Sequence, residues 1–74
     1  MFKDRLRTAR LSNHYTQQQV ADAIGVTLRS YQRYESGHIE PPYQTLVLLA
    51  DFFNVSLDYL FGRDSFVSFQ RNKE

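Results

Sequence analysis

Apolar residues recur at helical spacing along five short segments of the chain, three or four positions apart. No segment alternates apolar and polar residues over several positions, as a half-buried strand does. The pattern therefore predicts an all-α fold with five helices, at about 2–13, 17–24, 28–36, 43–53 and 57–61. One common core is expected to form from the apolar positions of these helices, namely Phe2, Leu6, Ala9, Val20, Ala21, Ile24, Tyr31, Tyr34, Leu46, Leu49, Ala50, Phe53, Leu57 and Leu60.

The predicted helix boundaries carry side chains that start and stop helices. Thr16 precedes the second helix and Gln19 follows three residues later, which is the spacing of a capping box. Thr27 and Ser56 stand as N-cap residues before the third and fifth helices. Residues that tolerate a left-handed backbone follow the helix ends, at Asn13, His14, Gly25, Gly37, Asn54 and Gly62. Most of the connections are therefore short, which favours a compact bundle.

The chain has 74 residues and no cysteine, and 42% of its residues are apolar. This length fits one small domain with a packed core, and the lack of cysteine excludes disulfides, iron–sulfur clusters and cysteine-based zinc sites. His14 and His38 lie far apart, without the spacing of metal ligands. No apolar run is long enough to cross a membrane, and no catalytic cluster is recognisable. We expect a protein that is not an enzyme, has no membrane partner and holds no small-molecule cofactor or metal.

Charge is unevenly distributed along the chain, although the net charge is only +1. Residues 1–34 carry six basic and two acidic side chains, whereas residues 35–62 carry four acidic and no basic ones. The first half is therefore able to present a positive surface to a polyanion. Solvated charge on helix surfaces explains the same distribution without any ligand, so the charge alone does not decide between the two.

The second and third helices carry the pattern that is most informative about function. Only Gly25, Val26 and Thr27 separate them, and a glycine followed by an apolar residue and an N-cap makes the tight turn of a helix-turn-helix. Because Tyr31 and Tyr34 are expected to face the core, the opposite side of the third helix faces outward. That outward side holds Leu28, Arg29, Gln32 and Arg33. Arginine pairs with guanine, glutamine with adenine, and an apolar group with the thymine methyl, so this side suits the major groove of DNA.

A long motif runs through these two helices. Residues 16–37 read T-Q-Q-Q-V-A-D-A-I-G-V-T-x-x-S-Y-x-x-Y-E-x-G, where x marks positions outside the motif. This stretch resembles the helix-turn-helix of Cro/CI-type repressors, the XRE-type family, and the resemblance extends through residues 41–60. It implies a compact five-helix, repressor-like DNA-binding domain over residues 1–62. The tail, 63–74, is expected either to fray or to contribute to dimerisation.

The resemblance also implies which residues contact DNA. The family positions that correspond to Gln17 and Ser30 contact the DNA backbone. Thr16 and Thr27 offer hydroxyls and free N–H groups at helix starts, where phosphate binds readily. The family's base-reading positions correspond to Leu28, Arg29 and Arg33, with Gln32 beside them.

An ion pair between the first and third helices is a further implication. The family pairs an arginine of the first helix with the acid near the end of the third, and the corresponding residues are Arg10 and Glu35. We expect Arg10 to form this structural pair and to contact a DNA phosphate from it.

Two positions depart from the family's pattern. The family commonly has basic residues in the loop after the third helix, where they contact phosphate, but this loop contains His38, Ile39 and Glu40 and no permanent positive charge. The family usually has glycine where this chain has His14. We interpret His14 as a helix end and His38 as a loop residue, not as ligand-binding groups.

Leu48 and Phe52, one turn apart on the predicted fourth helix, fall outside its core stripe. Edge packing within a monomer and a partner surface both explain such a pair. We favour the partner surface, because large exposed apolar groups are costly on a monomer. Phe66 and Phe69 in the tail are further candidates for a dimer interface.

These features favour a sequence-specific transcriptional regulator that binds double-stranded DNA, expected to be a repressor that acts as a homodimer on a palindromic operator. The alternative is an antitoxin or anti-repressor type of adaptor that uses the same fold to hold a protein partner. We expect the protein to be cytoplasmic and associated with the nucleoid.

Overall fold

The computed structural model describes residues 2–63, which form a bundle of five α-helices. The helices are α1 (Phe2–Ser12), α2 (Gln17–Ile24), α3 (Leu28–Ser36), α4 (Tyr43–Phe53) and α5 (Leu57–Leu60). No strand is present in this part of the chain, so the predicted all-α fold with five helices is confirmed. The predicted bounds of α2, α3 and α4 agree with the structure, whereas α1 and α5 each end one residue early.

Side-chain caps begin three of the helices, as their sequences predict. Thr16 and Gln19 form a full capping box, in which the Thr16 hydroxyl accepts from the Gln19 N–H at 3.1 Å and the Gln19 side chain accepts from the Thr16 N–H at 2.8 Å. The hydroxyls of Thr27 and Ser56 accept from the backbone N–H groups three residues ahead. These bonds satisfy backbone donors that a helix start leaves unpaired, so they fix where α2, α3 and α5 begin.

The end of α1 shows why this helix is shorter than predicted. The Asn13 side-chain amide donates to the Ala9 carbonyl at 2.7 Å, and His14 adopts a left-handed backbone with φ 61°. Both features turn the chain out of the helix after Ser12. His14 therefore takes the backbone conformation for which glycine is the usual residue.

Apolar residues from all five helices are buried in the molecule, and Tyr31 and Leu6 are among those with no exposed surface. Phe2 and Leu57 are partly buried and pack against this core. The helix α3 packs on α1 and α2, while α4 packs on α2 and α5. The buried apolar residues are Leu6, Ala9, Val20, Ala21, Ile24, Tyr31, Tyr34, Leu46, Leu49, Ala50, Phe53 and Leu60. The predicted core is thus confirmed.

Phe52 lies at the edge of the core. Of the two explanations for its place outside the core stripe of α4, the structure supports edge packing, because the side chain is partly buried and packs against the core. Its ring centroid lies 4.9 Å from that of Tyr15 and 5.2 Å from that of Phe53. Tyr15, in the connection between α1 and α2, covers a side of α4 that a helical projection shows as open. Leu48, by contrast, is exposed as predicted.

Candidate nucleic-acid interface

The turn between α2 and α3 is held by backbone geometry and by caps. Gly25 has a left-handed backbone with φ 75°, and the Val26 N–H donates to the Ala21 carbonyl at 3.0 Å. Val26 packs against the core, and Thr27 caps α3 directly after it. Three residues therefore set the direction of α3 relative to α2, as a helix-turn-helix requires.

The outer side of α3 and the loop behind it form a shallow depression of about 400 Å³, which we call the α3 concavity. Its lining residues are Arg29, Gln32, Arg33, Ser36 and His38. Arg29 and Gln32 are exposed, and Arg33 is partly exposed. Two arginines and no acid line this surface, so it favours an anionic ligand with hydrogen-bond acceptors.

Three of the four predicted base-reading residues lie together in the α3 concavity. Leu28, the fourth, begins α3, is half-buried and does not line the depression. Ser36 and His38 do line it, although the sequence pattern did not identify them as part of the surface. The glycine at position 37 was the available signal, because a left-handed residue after a helix turns the next residues back over its last turn.

The four polar residues predicted to contact phosphate at the helix starts already have partners within the protein. The Thr16 hydroxyl accepts the capping bond of α2. The Thr27 hydroxyl accepts from the Ser30 N–H at 3.1 Å and donates to the Ser30 hydroxyl at 3.0 Å. These internal bonds orient the hydroxyls of Thr27 and Ser30 at the start of α3. Their contact with phosphate stays a prediction.

Gln17 links two parts of the site. Its amide N–H donates to Glu35 Oε1 at 3.4 Å, and its amide oxygen accepts from Gln32 Nε2 at 3.3 Å. The side chain at the start of α2 therefore contacts a residue of the α3 concavity on one side and the Arg10–Glu35 pair on the other. A residue predicted to contact the DNA backbone thus also orients a predicted base reader.

Arg10 and Glu35 form the ion pair that the resemblance implied. Arg10 Nε donates to Glu35 Oε2 at 2.9 Å, and Arg10 Nη2 donates to Glu35 Oε1 at 2.8 Å. A third bond runs from Arg10 Nη1 to the Tyr15 carbonyl at 3.0 Å. The two side chains are only 12% and 5% exposed, so the pair joins α1 to α3 beneath the surface. A phosphate contact from Arg10 stays a prediction.

The pair changes the acid–base behaviour of the groups around it. Burial acts to raise the pKa of Glu35, but the hydrogen bonds from Arg10 and its neighbours outweigh burial and hold that pKa below its ordinary value. The hydrogen bond to Glu35 raises the pKa of Arg10. Burial, and next the Glu35 carboxylate, raise the pKa of Tyr31 far above its ordinary range. The Tyr31 hydroxyl, beside the pair, makes no hydrogen bond of regular geometry within residues 2–63.

The candidate dimer residues have different surroundings. Leu48 is 47% exposed on α4, whereas Phe52 is engaged with Tyr15 and Phe53. Phe66 and Phe69 lie outside the described residues. Leu48 is therefore the candidate with an open side chain in the described part of the chain.

Residues 2–63 contain neither a metal-binding cluster nor a membrane-spanning helix. No group of three or more histidine, aspartate or glutamate side chains in this range is arranged to hold a metal ion. Within the same range, no helix has the length and apolar character needed to cross a membrane.

The model of the helix-turn-helix family matches residues 6–60, which include α2, the turn and α3. The chain belongs to the helix-turn-helix family. The resemblance of residues 16–37 to Cro/CI-type repressors is thereby confirmed.

Several curated proteins are similar to this helix-turn-helix protein. The uncharacterized HTH-type transcriptional regulator YqaE of Bacillus subtilis is 42% identical over 65 residues, covering 88% of this chain and 56% of YqaE. The SPbeta prophage-derived uncharacterized HTH-type transcriptional regulator YonR of Bacillus subtilis is 43% identical over 60 residues, covering 81% of this chain and 56% of YonR. The cryptic phage CTXphi transcriptional repressor RstR of Vibrio cholerae is 46% identical over 61 residues, covering 82% of this chain and 54% of RstR.

The chain spans a little more than half the length of these relatives. The similarity therefore concerns the part that includes the helix-turn-helix. No solved structure matches this helix-turn-helix protein significantly.

Proposed function

We propose that this protein is a transcriptional regulator that binds double-stranded DNA sequence-specifically through α3. The observation that carries the proposal is the α3 concavity, where Arg29, Gln32 and Arg33 lie together on one side of a helix fixed by a helix-turn-helix. An α-helix fits the major groove, and arginine and glutamine there form bidentate contacts with guanine and adenine. The similarity to proteins named as transcriptional regulators agrees with this function.

Base contacts and backbone contacts are expected to come from different residues. Arg29, Gln32 and Arg33 read bases from the α3 concavity, and Leu28 contacts a thymine methyl from the start of α3. The backbone is held at the helix starts by free N–H groups and polar side chains, with Arg10 adding a contact from its ion pair. The residues proposed for phosphate contact are Arg10, Thr16, Gln17, Thr27 and Ser30.

The protein is proposed to act as a homodimer on a palindromic operator and to repress transcription. One recognition helix reads only a few base pairs, so two half-sites about one helical turn apart give the specificity that a regulator needs. Leu48 supports a dimer because it leaves a large apolar side chain exposed on α4. The similarity to RstR, which is named a transcriptional repressor, supports repression over activation. Such a protein would work in the cytoplasm, at the nucleoid.

Selection of bound sequences from a random duplex library tests this function most broadly. We expect an enriched palindrome, with binding that weakens as salt concentration rises. The matched control is the Arg29→Ala/Arg33→Ala double variant, whose substitutions lie on the outer side of α3 and leave the core untouched. Enrichment of no sequence by the wild-type protein would contradict the proposal.

The exposed side chains on α4 favour one alternative, in which the same fold holds a different protein. Tyr43 is 70% exposed and Leu48 is 47% exposed, both on α4. An antitoxin or anti-repressor type of adaptor would use such a surface for its partner. Stoichiometric co-purification of another protein, together with absence of salt-dependent binding to duplex DNA, would favour the adaptor.

A further inference from the structure

A second depression, of about 310 Å³, lies between the start of α1 and the loop after α3. We call it the N-terminal depression. Its lining residues are Phe2, Lys3, Gly37, Ile39 and Glu40. None of them is among the residues proposed to contact DNA, so this surface is available for a different contact.

The lining of the N-terminal depression combines apolar surface with one charge of each sign. Ile39 is 41% exposed, and Phe2 is partly buried against the core. The Lys3 side chain packs so closely on Gly37 that a Cβ at that position would lie 2.8 Å from Lys3 Cδ. The aliphatic part of Lys3 therefore adds apolar surface, while its ammonium group and the Glu40 carboxylate supply the two charges.

The described chain ends close to this depression. The ring centroid of Phe61 lies 5.3 Å from that of Phe2, which lines the depression. Gly62 then takes a left-handed backbone with φ 72°, and the Arg63 N–H donates to the Asp58 carbonyl at 2.7 Å. The chain thus turns out of α5 directly after Phe61, and the segment that follows Arg63 starts near the N-terminal depression.

We propose that the segment 64–74, which lies outside the described residues, binds in the N-terminal depression of its own chain through Phe66 and Phe69. An extended residue spans about 3.3–3.6 Å, so Phe66 is able to reach about 10 Å from Arg63, and Phe69 about 20 Å. This reach suffices for a depression that begins at the ring packed against Phe61.

The order of charges along the segment matches the lining. Asp64 precedes the first phenylalanine by two positions, and Arg71 follows the second by two positions. Asp64 is thus placed to face the Lys3 ammonium group. Arg71 is placed to face the Glu40 carboxylate. Exposed ion pairs contribute little to stability, so the burial of the two phenylalanine rings on Ile39 provides most of the stabilisation and the charges set the direction of the segment.

Binding within one chain has two consequences for the molecule. It assigns Phe66 and Phe69 to a contact with their own domain instead of a dimer interface, which leaves Leu48 as the candidate for that interface. It also holds the loop 37–40 against the start of α1, directly beside His38 of the α3 concavity. The inference does not depend on DNA binding.

Paramagnetic broadening of amide resonances in the 74-residue chain tests this contact. A nitroxide attached to Ser68→Cys is a single label, because the chain contains no cysteine, and it lies between the two phenylalanines. We expect the label to broaden the resonances of Lys3 and Ile39 strongly. Asp22 of α2 and Leu48 of α4 report on other exposed surfaces and should be affected little.

Variants of the segment show whether its apolar side chains make the contact. Phe66→Ser/Phe69→Ser with the same label should abolish the broadening at Ile39, whereas Ser65→Ala, the matched control, should keep it. Hydrogen exchange provides a measurement without a label. The Ile39 N–H, which donates to the Arg33 carbonyl, should exchange about tenfold faster in Phe66→Ser/Phe69→Ser, the factor by which binding in about nine molecules of ten slows local opening.

A mixture of two samples separates a contact within one chain from a contact between copies. One sample carries the nitroxide and no isotope, and the other carries ¹⁵N and no nitroxide. Broadening at Ile39 in this mixture as strong as in the singly labelled chain would place the segment on a second copy and overturn the inference. Broadening at Leu48 instead of Ile39, no broadening at either, or broadening that persists in Phe66→Ser/Phe69→Ser would also overturn it. None of these outcomes bears on the proposed function.

Discussion

Glu35 is the residue at which three helices meet. Its carboxylate accepts two hydrogen bonds from Arg10 of α1 and one from Gln17 of α2, while Glu35 itself belongs to α3. Only 5% of its side chain is exposed. Removing one partner of a buried pair leaves an uncompensated charge, which costs more than the pair itself contributes.

Glu35→Ala is expected to lower the free energy of unfolding by about 3 kcal/mol at pH 7, because Arg10 then remains buried without its carboxylate. Urea titration measures the loss. Glu40→Ala is the matched control, since it removes an exposed acid nearby and should cost less than about 0.5 kcal/mol. Equal midpoints for wild type and Glu35→Ala would show that the pair is no more than a surface contact.

The same pair predicts a pH dependence of stability. The pKa of Glu35 in the folded protein lies below its ordinary value. The contribution of its carboxylate to the free energy of unfolding is therefore fully present above about pH 4.3 and is lost as the pH falls through the folded pKa. The stability difference between wild type and Glu35→Gln should therefore shrink on acidification. Thermal melts from pH 7 down to pH 3 measure it. A difference that stays constant over this range would contradict the ion pair.

Variants of Ser30 and Gln17 distinguish a residue that contacts only the DNA backbone from one that also orients a base-reading residue. Ser30→Ala keeps the Thr27 cap, because the backbone N–H of residue 30 is the donor of that bond. The variant should bind the operator and the scrambled duplex more weakly by the same factor. Gln17→Ala should weaken both and also reduce the preference for the operator, because Gln17 orients Gln32. Parallel binding assays on the two duplexes measure whether each variant loses affinity equally on both or loses preference for the operator. Unequal losses for Ser30→Ala would make Ser30 part of base recognition.

At the scale of elements, the turn between α2 and α3 depends on one backbone conformation. Gly25 has φ 75°, and a Cβ there would meet nothing within 4 Å. Gly25→Ala is therefore expected to cost about 1–2 kcal/mol from backbone strain alone. Gly25→Asn should cost less, because asparagine tolerates the left-handed region, and chemical denaturation compares the two. An alanine variant as stable as wild type would show that the turn relaxes to another geometry.

The sequence predicted α2, α3 and α4 well because their boundaries depend on local contacts. The capping bond that the Thr27 hydroxyl accepts from the Ser30 N–H joins residues three positions apart, so the residue types alone reveal it. The helical pattern alone left the packing of Phe52 open, because its burial depends on Tyr15, which is distant in sequence and lies in the connection between α1 and α2. The sequence pattern did not predict that His38 lines the α3 concavity, because this position depends on how Gly37 turns the loop. Contacts between elements, not helix propensity, account for both differences.

At the scale of the whole molecule, the exposed apolar side chain of Leu48 predicts that two copies of the protein associate. The substitution Leu48→Glu is expected to shift a dimer toward monomer in sedimentation, because it puts a charge into the proposed apolar interface. Thr8→Glu adds the same charge at an exposed position of α1, on a different helix from Leu48, and serves as the control. Phe52→Glu is unsuitable, because Phe52 packs on the core. A wild-type protein that remains monomeric at high concentration and on DNA would contradict the dimer.

The central claim is that the α3 concavity reads DNA sequence. The most direct test is library selection with wild type, Arg29→Ala and Arg33→Ala in parallel, followed by binding to the enriched and scrambled duplexes. We expect each variant to lose preference at one symmetric pair of operator positions, with about 1–3 kcal/mol less discrimination there and the other positions unchanged. Equal losses on both duplexes, or the same enriched sequence with undiminished discrimination for all three proteins, would contradict the account.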